Sequence, residues 1–89
     1  MAWVNIPRNW RGVTAAARLQ VPGATLGEVV GHLCSRYPAL TGWLDNGLGA
    51  LPGYLHLFIG DVDANVLGGL RASVRDDTEI HVVIEMSGG

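Results

Sequence analysis

A single amphipathic helix constrains the fold of this chain more than any other feature. Over residues 26–37, apolar side chains recur at intervals of three and four, the period of a helix with one buried face. Thr25 and Glu28 have the spacing of a capping box, and Pro38 marks the end, so the sequence predicts a helix over residues 26–36. The apolar stripe comprises Leu26, Val29, Val30, Leu33, Cys34 and Tyr37. Such a stripe must be buried against other elements of the fold.

The other periodic segments are short and alternate as β-strands do. The last segment is rich in β-branched residues, and we expect its Ile80, Val82 and Ile84 to face the helix. The turn-prone residues 7–12 indicate a hairpin between the first two segments. The predicted strands cover residues 3–6, 14–21, 55–60, 63–67 (short and irregular) and 79–85.

A hairpin, a helix and then further strands is the element order of the β-grasp fold, an α+β architecture. A right-handed crossover through the helix would pair the last strand parallel with the first. The result is a mixed sheet of four to five strands with one face covered by the helix and the other open. Residues 39–53 indicate an irregular connection with room for one helical turn, anchored by Trp43 and Leu44. Since 89 residues allow one domain, we predict a β-grasp domain over residues 1–85 and a flexible tail over 86–89.

Composition excludes several classes of function. A net charge of -2 gives no basic field for nucleic acid, and no stretch approaches a membrane span or a signal peptide, so we expect a cytoplasmic protein. The single cysteine, Cys34, excludes an intrachain disulfide and a four-cysteine cluster. The chain contains no lysine, which excludes a GxxxxGK[ST] phosphate loop and a lysine Schiff base. We therefore expect no bound cofactor, and any ATP must be bound by a partner.

The last four residues, Met86, Ser87, Gly88 and Gly89, follow the final predicted strand. Two terminal glycines have no Cβ atoms, so they fit a narrow channel and bring the terminal carboxylate to a buried reaction centre. A carboxylate is an anion at neutral pH and a poor electrophile, so acyl chemistry requires activation first. Adenylation followed by attack of a sulfur nucleophile would leave a thiocarboxylate at Gly89. We predict Gly89, with Gly88, as the reactive site of a chain that is not itself an enzyme.

Several short motifs, in order along nearly the whole chain, carry a resemblance to a known family. They are Val4-Asn5-Ile6-Pro7, Thr25-Leu26-Gly27-Glu28-Val29-Val30, Leu55-His56, Gly68-Gly69-Leu70, Asp77 and Gly88-Gly89. The chain resembles the ThiS/MoaD family of ubiquitin-like sulfur carriers. The resemblance implies a β-grasp fold, adenylation by an E1-like ATP-dependent enzyme, and sulfur delivery as a C-terminal thiocarboxylate.

The cysteine-biosynthesis branch of that family looks most similar. For this branch the resemblance implies a pyridoxal-phosphate-dependent cysteine synthase as sulfur acceptor and a metalloprotease that releases cysteine from the tail. The sequence leaves the pathway open among cysteine, molybdopterin, thiamin and a sulfur-containing secondary metabolite. One departure is Arg75-Asp76-Asp77, where the family usually has Asp-Gly-Asp. Because aspartate tolerates the left-handed region, we expect the turn to be retained.

Phe58 and Val83 alternate along their strands with the residues that face the core. Both are therefore predicted to lie on the open face of the sheet. An apolar pair there is either a docking patch for the partner enzyme or ordinary strand composition. With Phe58 and Val83 we assign Met86 and Ser87 to partner contact.

The remaining chemically active residue types favour structural roles. Cys34 falls on the buried stripe, where cysteine behaves as a small apolar residue. His32, His56 and His81 lack metal-ligand spacing, and Asp61, Asp63, Asp76 and Asp77 stand at turn positions. Two alternatives to a sulfur carrier remain, namely a ubiquitin-like modifier that forms isopeptide bonds and a β-grasp interaction domain with an inert tail.

Overall fold

The fold is built on a five-stranded mixed sheet, seen in a computed structural model that describes residues 1–44 and 53–85. The strand order is β2-β1-β5-β3-β4, and β1 pairs parallel with β5 while all other neighbours are antiparallel. The strands are β1 (Ala2–Asn5), β2 (Arg18–Val21), β3 (Leu55–Ile59), β4 (Val62–Asp63) and β5 (Glu79–Ile84). The predicted α+β class, mixed sheet and parallel pairing of the first and last strands are confirmed.

The main helix, α2, runs from Leu26 to Arg36, as the sequence predicts. Thr25 caps it, because its hydroxyl accepts a hydrogen bond from the backbone N–H of Glu28 at 3.3 Å. The Glu28 carboxylate in turn accepts from the N–H of Ala24 at 3.2 Å. Leu26, Val29 and Leu33 are buried, while Val30, Cys34 and Tyr37 are partly buried and pack against the core.

The core lies between α2 and one face of the sheet. Ile80 and Val82 of β5 are buried there and Ile84 is partly buried, so the predicted inward face of the last strand is confirmed. Burial of one such aliphatic side chain contributes about 1.5–3 kcal/mol to stability. Further buried residues include Val4, Trp10, Val21, Leu40, Leu55 and Leu57.

The second strand is shorter than the sequence predicts. Residues 11–14 form a helical turn, α1 (Arg11–Thr14), and the strand begins only at Arg18. Ala15 follows in the left-handed conformation at φ 57°, and the buried Thr14 hydroxyl donates to the carbonyl of Ala16 at 3.0 Å. The predicted strand start at residue 14 was wrong. Three consecutive alanines do not differ in size or polarity, so they give no true alternation from which a strand could be inferred.

The predicted irregular strand over residues 63–67 was also largely wrong. Only Val62–Asp63 pair with β3, and a 3-10 helix covers Ala64–Leu67. The Asp63 carboxylate accepts a hydrogen bond from the N–H of Asn65 at 2.9 Å, which caps this helix and ends the strand. A second 3-10 helix, Gly69–Arg71, follows.

The connection after α2 begins as predicted. A 3-10 turn over Pro38–Leu40 leads into a short helix, α3 (Thr41–Leu44). Leu44 is buried, and the Trp43 ring lies 6.3 Å from Trp10 and 6.1 Å from Tyr54, measured between ring centroids. Both predicted anchors are confirmed, while residues 45–52 of this connection lie outside the described residues. None of the helices in the described segments has the length and apolar character required to cross a membrane.

Candidate functional site

The candidate reactive residues follow the central strand of the sheet. β5 is hydrogen-bonded to β1 on one side and to β3 on the other, which fixes both its position and its direction. The attachment extends past the strand, since the N–H of Glu85 donates to the carbonyl of Tyr54 at 2.7 Å. Residues 86–89, with the predicted site residues Met86, Ser87, Gly88 and Gly89, lie outside the described residues. Glu85 is thus the fixed root from which four further residues have a reach of about 14 Å when extended.

The turn that leads into β5 retains the geometry that its aspartates were expected to allow. The N–H of Thr78 donates to the Arg75 carbonyl at 3.2 Å, and the N–H of Arg75 donates to the Thr78 hydroxyl at 3.0 Å. Asp77 occupies the left-handed region at φ 71°. The N-terminal ammonium of Met1 pairs with the Asp76 carboxylate, and this hydrogen bond holds the pKa of Asp76 below its usual value. The turn before β5 is therefore formed with an aspartate, Asp77, in the left-handed region.

Phe58 and Val83 lie on the sheet face opposite α2, as predicted. His56 is directly opposite Val83, and Phe58 is directly opposite His81, so Phe58 and Val83 are diagonal neighbours on adjacent strands. Val83 is 46% exposed and Phe58 is partly buried. The apolar pair is accessible on the strand that leads to the tail and on its neighbour.

The structure also brings two histidines, His56 and His81, to this face, which the sequence analysis did not predict. His56 lies two residues before Phe58 on β3, and His81 lies two residues before Val83 on β5. All four side chains therefore lie on the same face of the sheet. The Nε2 atom of His56 lies 3.1 Å from a carboxylate oxygen of Glu85, at the root of the tail. The sequence alternation already placed residues 56 and 58 on one face of their strand and residues 81 and 83 on one face of theirs. Only the pairing register of the two strands shows that these residues are neighbours. Across residues 1–44 and 53–85, no three His, Cys, Asp or Glu side chains are grouped closely enough to hold a metal ion.

The other half of the open face is charged and internally paired. Arg18 of β2 lies over the Trp3 ring at 3.8 Å and forms an ion pair with Glu79 of β5. The side-chain amide of Asn5 also donates to Glu79, at 2.9 Å. The hydrogen bond from Arg18, and then that from Asn5, holds the pKa of Glu79 below its usual value. These polar groups bond to one another, and the exposed Val83 lies on the other half of the face, nearer the tail.

The remaining candidate residues occupy structural positions. Cys34 is partly buried on α2 and packs against the core cluster, which is less burial than its place on the stripe predicted. Asp61 lies in the turn between β3 and β4, Asp63 caps the following 3-10 helix, and Asp76 and Asp77 lie in the turn before β5.

Comparison with known proteins gives matches in structure. No protein-family model and no curated protein sequence matches the chain. A chain of the Amycolatopsis orientalis BexX/CysO complex superposes with a TM-score of 0.90 at 26% identity, and the match covers 100% of both chains. Mycobacterium tuberculosis CysO gives 0.88 at 24% identity, covering 97% of this chain and 100% of that one. Small archaeal modifier protein 1 from Methanosarcina acetivorans gives 0.85 at 26% identity, covering 99% and 95%.

These similarities extend over essentially the whole chain, so they concern the entire fold rather than a shared motif. One of the matched structures is a complex, which shows that a protein with this fold engages a second protein. The matched proteins support a ubiquitin-like role, as a sulfur carrier or a modifier. The comparisons therefore confirm the resemblance of this β-grasp chain to the ThiS/MoaD-like proteins of ubiquitin fold.

Proposed function

We propose that this protein is a sulfur carrier whose Gly89 carboxylate is adenylated by an E1-like partner and converted to a thiocarboxylate. The observation that carries the proposal is the position of Gly88 and Gly89, three and four residues beyond Glu85, which follows the central strand. The similarity to CysO chains over the full length supports the same assignment.

The reaction has two steps. A carboxylate oxygen of Gly89 first attacks the α-phosphorus of ATP, which releases pyrophosphate and leaves an acyl adenylate. Hydrosulfide then attacks the carbonyl carbon, AMP departs with the bonding electrons and the thiol proton is lost to solvent. The product is a thiocarboxylate at Gly89, which donates its sulfur as a nucleophile. In this scheme no side chain of this protein takes part, so ATP binding and activation of the carboxylate fall to the partner.

The role of the fold in this scheme is to hold the start of the tail in a fixed position. The hydrogen bond from Glu85 to Tyr54 fixes the root, so the enzyme meets a carboxylate at the end of a chain of known length. We assign Phe58 and Val83 to the docking surface because they are exposed or partly exposed on β3 and β5, beside that root. Met86 and Ser87 would line the entrance to the channel of the enzyme. The lack of side chains at Gly88 and Gly89 lets that channel be narrow.

For the step after activation we propose a sulfur-accepting synthase, and a pyridoxal-phosphate-dependent cysteine synthase fits the similarity to CysO best. A metalloprotease would then release the amino acid from the tail. The second candidate function is a ubiquitin-like modifier, which the similarity to small archaeal modifier protein 1 at 26% identity favours. The two functions share adenylation and differ in whether sulfide or a lysine amine of another protein attacks the adenylate.

Intact-mass spectrometry after incubation with a cognate adenylating enzyme, ATP and sulfide tests the proposal. We expect the wild-type chain to gain the mass difference of one sulfur replacing one oxygen. Covalent adducts with other proteins would instead support the modifier, and an unchanged mass would support an inert interaction domain. The control variant lacks Gly89 and keeps every described contact of the domain. If this variant still acquired and donated sulfur, the proposal would be wrong.

A further inference from the structure

Part of the outer edge of β3 is left without a neighbouring strand among the described residues. β4 pairs with β3 only at Phe58 and Ile59, although β3 begins at Leu55. The opposite edge of β3 is paired along its whole length with β5. An unpaired edge exposes backbone groups that another chain is able to bond.

The hydrogen bonds to β5 show which backbone groups face this edge. Glu85 donates to the carbonyl of Tyr54 at 2.7 Å, and Gly60 donates to the carbonyl of Glu79 at 2.8 Å. In an antiparallel pair the bonded residues alternate, so the even-numbered residues of β3 bond to β5. Leu55 and Leu57 therefore direct their N–H and C=O groups away from β5, toward the outer edge.

A cavity of about 390 Å³ borders the same edge. One wall is formed by residues 55–57 of β3, and the other by the two 3-10 segments between Ala64 and Arg71. Its size lies within the range of about 300–1,000 Å³ that is usual for ligand pockets. Val66 and Leu67, 76% and 47% exposed, adjoin the second wall in sequence. The edge therefore faces a formed groove.

Among the described residues, the lining of the groove offers one cation, Arg71, to an acidic ligand. Arg71 lines it, is exposed, and has no carboxylate within ion-pair distance among the described residues. Asp63 also lines the groove, and its carboxylate accepts a hydrogen bond only from the neutral N–H of Asn65 at 2.9 Å, so an acidic residue of a ligand must lie on the Arg71 side. His56 contributes to the wall and lies 3.1 Å from Glu85. A guanidinium without a partner forms its strongest hydrogen bonds to a carboxylate.

We propose that this groove binds an extended acidic segment of the adenylating enzyme, which adds to the sheet as a strand along β3. The inference rests on the proposed function. Glu85 is bonded to Tyr54, directly before Leu55, so an enzyme that holds Gly89 must cover this end of the sheet. His56 belongs both to the groove and to the open face that carries Val83. The groove is thus continuous with the docking surface, and the segment binds Arg71 through its carboxylate.

A charge-reversal pair tests the role of Arg71. Arg71→Glu and Arg75→Glu change the net charge equally, and Arg75 lies on the exposed turn before β5, away from the groove. We expect Arg71→Glu to weaken binding of the full-length chain to the cognate adenylating enzyme by at least about tenfold, and Arg75→Glu by less than about twofold. Equal losses in calorimetric titrations of the two variants would overturn the assignment of Arg71.

Amide hydrogen exchange tests the added strand itself. We expect the Leu55 amide to exchange at least about tenfold more slowly in the complex, whereas that of His56, already bonded to β5, serves as the internal reference. An unchanged exchange rate at Leu55 in a chain that still acquires sulfur would refute the strand addition alone. A wild-type chain that neither binds the enzyme nor acquires sulfur would refute the proposed function instead.

Discussion

Two glycines on either side of the start of α2 should respond to alanine with opposite signs. Gly23 precedes the helix with φ +148°, a conformation that residues with side chains rarely adopt. A Cβ atom there would lie 2.8 Å from the backbone nitrogen of Val29 and 3.1 Å from Cβ of Glu28. Gly31 lies within α2, and a Cβ there would meet nothing within 4 Å.

The magnitudes follow from these geometries. At Gly23→Ala, backbone strain of about 1–3 kcal/mol adds to overpacking of about 1–3 kcal/mol, because the nearest atom belongs to backbone that cannot rotate away. We expect a loss of about 3 kcal/mol or more. Gly31→Ala should gain about 1 kcal/mol, since alanine replaces glycine in an open position of a helix interior. For a domain of this size, about 1 kcal/mol shifts the Tm by about 4–8 °C.

Thermal unfolding followed by circular dichroism checks both variants. We expect Gly23→Ala to lower the Tm by more than about 10 °C and Gly31→Ala to raise it by a few degrees. Because both substitutions add the same methyl group, the pair separates local geometry from the general effect of glycine on the unfolded chain. If both variants changed Tm in the same direction, the described approach of Gly23 to α2 would be incorrect.

Three further predictions concern the site and its surroundings. Phe58→Asp should slow adenylation without changing the Tm by more than a few degrees, whereas Val13→Asp, exposed on α1, should leave the adenylation rate unchanged. Because Arg18 lowers the pKa of Glu79 in the folded state, this pair stabilises the protein above the ordinary glutamate pKa of 4.5, and the contribution is lost as pH falls through the lower folded pKa. Urea midpoints from neutral to acid pH should therefore depend less on pH in Glu79→Gln. Cys34→Ala should acquire sulfur at the wild-type rate, and loss of transfer would show that the thiol participates.

The sequence predicted those elements whose local signals agree with the tertiary environment. Thr25 and Glu28 define the start of α2, and Pro38 its end, to the residue. The alternation around Ile80 and Val82 gave both the strand and its buried face. In these segments the pattern that forms the element is also the pattern that the core requires.

The errors fall where local sequence carries little contrast. The alanines at positions 15–17 were predicted as part of a strand, although the strand begins only at Arg18. The predicted strand over residues 63–67 was wrong because the cap formed by Asp63 ends β4 after two residues. The proximity of His56 and Phe58 to Val83 depends on how β3 and β5 pair, which no local pattern specifies. The same holds for the groove beside Leu55, since it arises from the early end of β4.

The parallel pairing of β1 and β5 also has a mechanical consequence. Both strands run in the same direction at the centre of the sheet, and β5 leads to the tail. Tension applied to the tail therefore acts along the strands, so the hydrogen bonds on both sides of β5 share the load instead of breaking one after another. The last of these backbone hydrogen bonds before the tail is the one from Glu85 to the carbonyl of Tyr54. Under the proposed function, the extended length from Glu85 to the Gly89 carboxylate, about 14 Å, is the greatest depth at which an enzyme active site is able to receive that carboxylate.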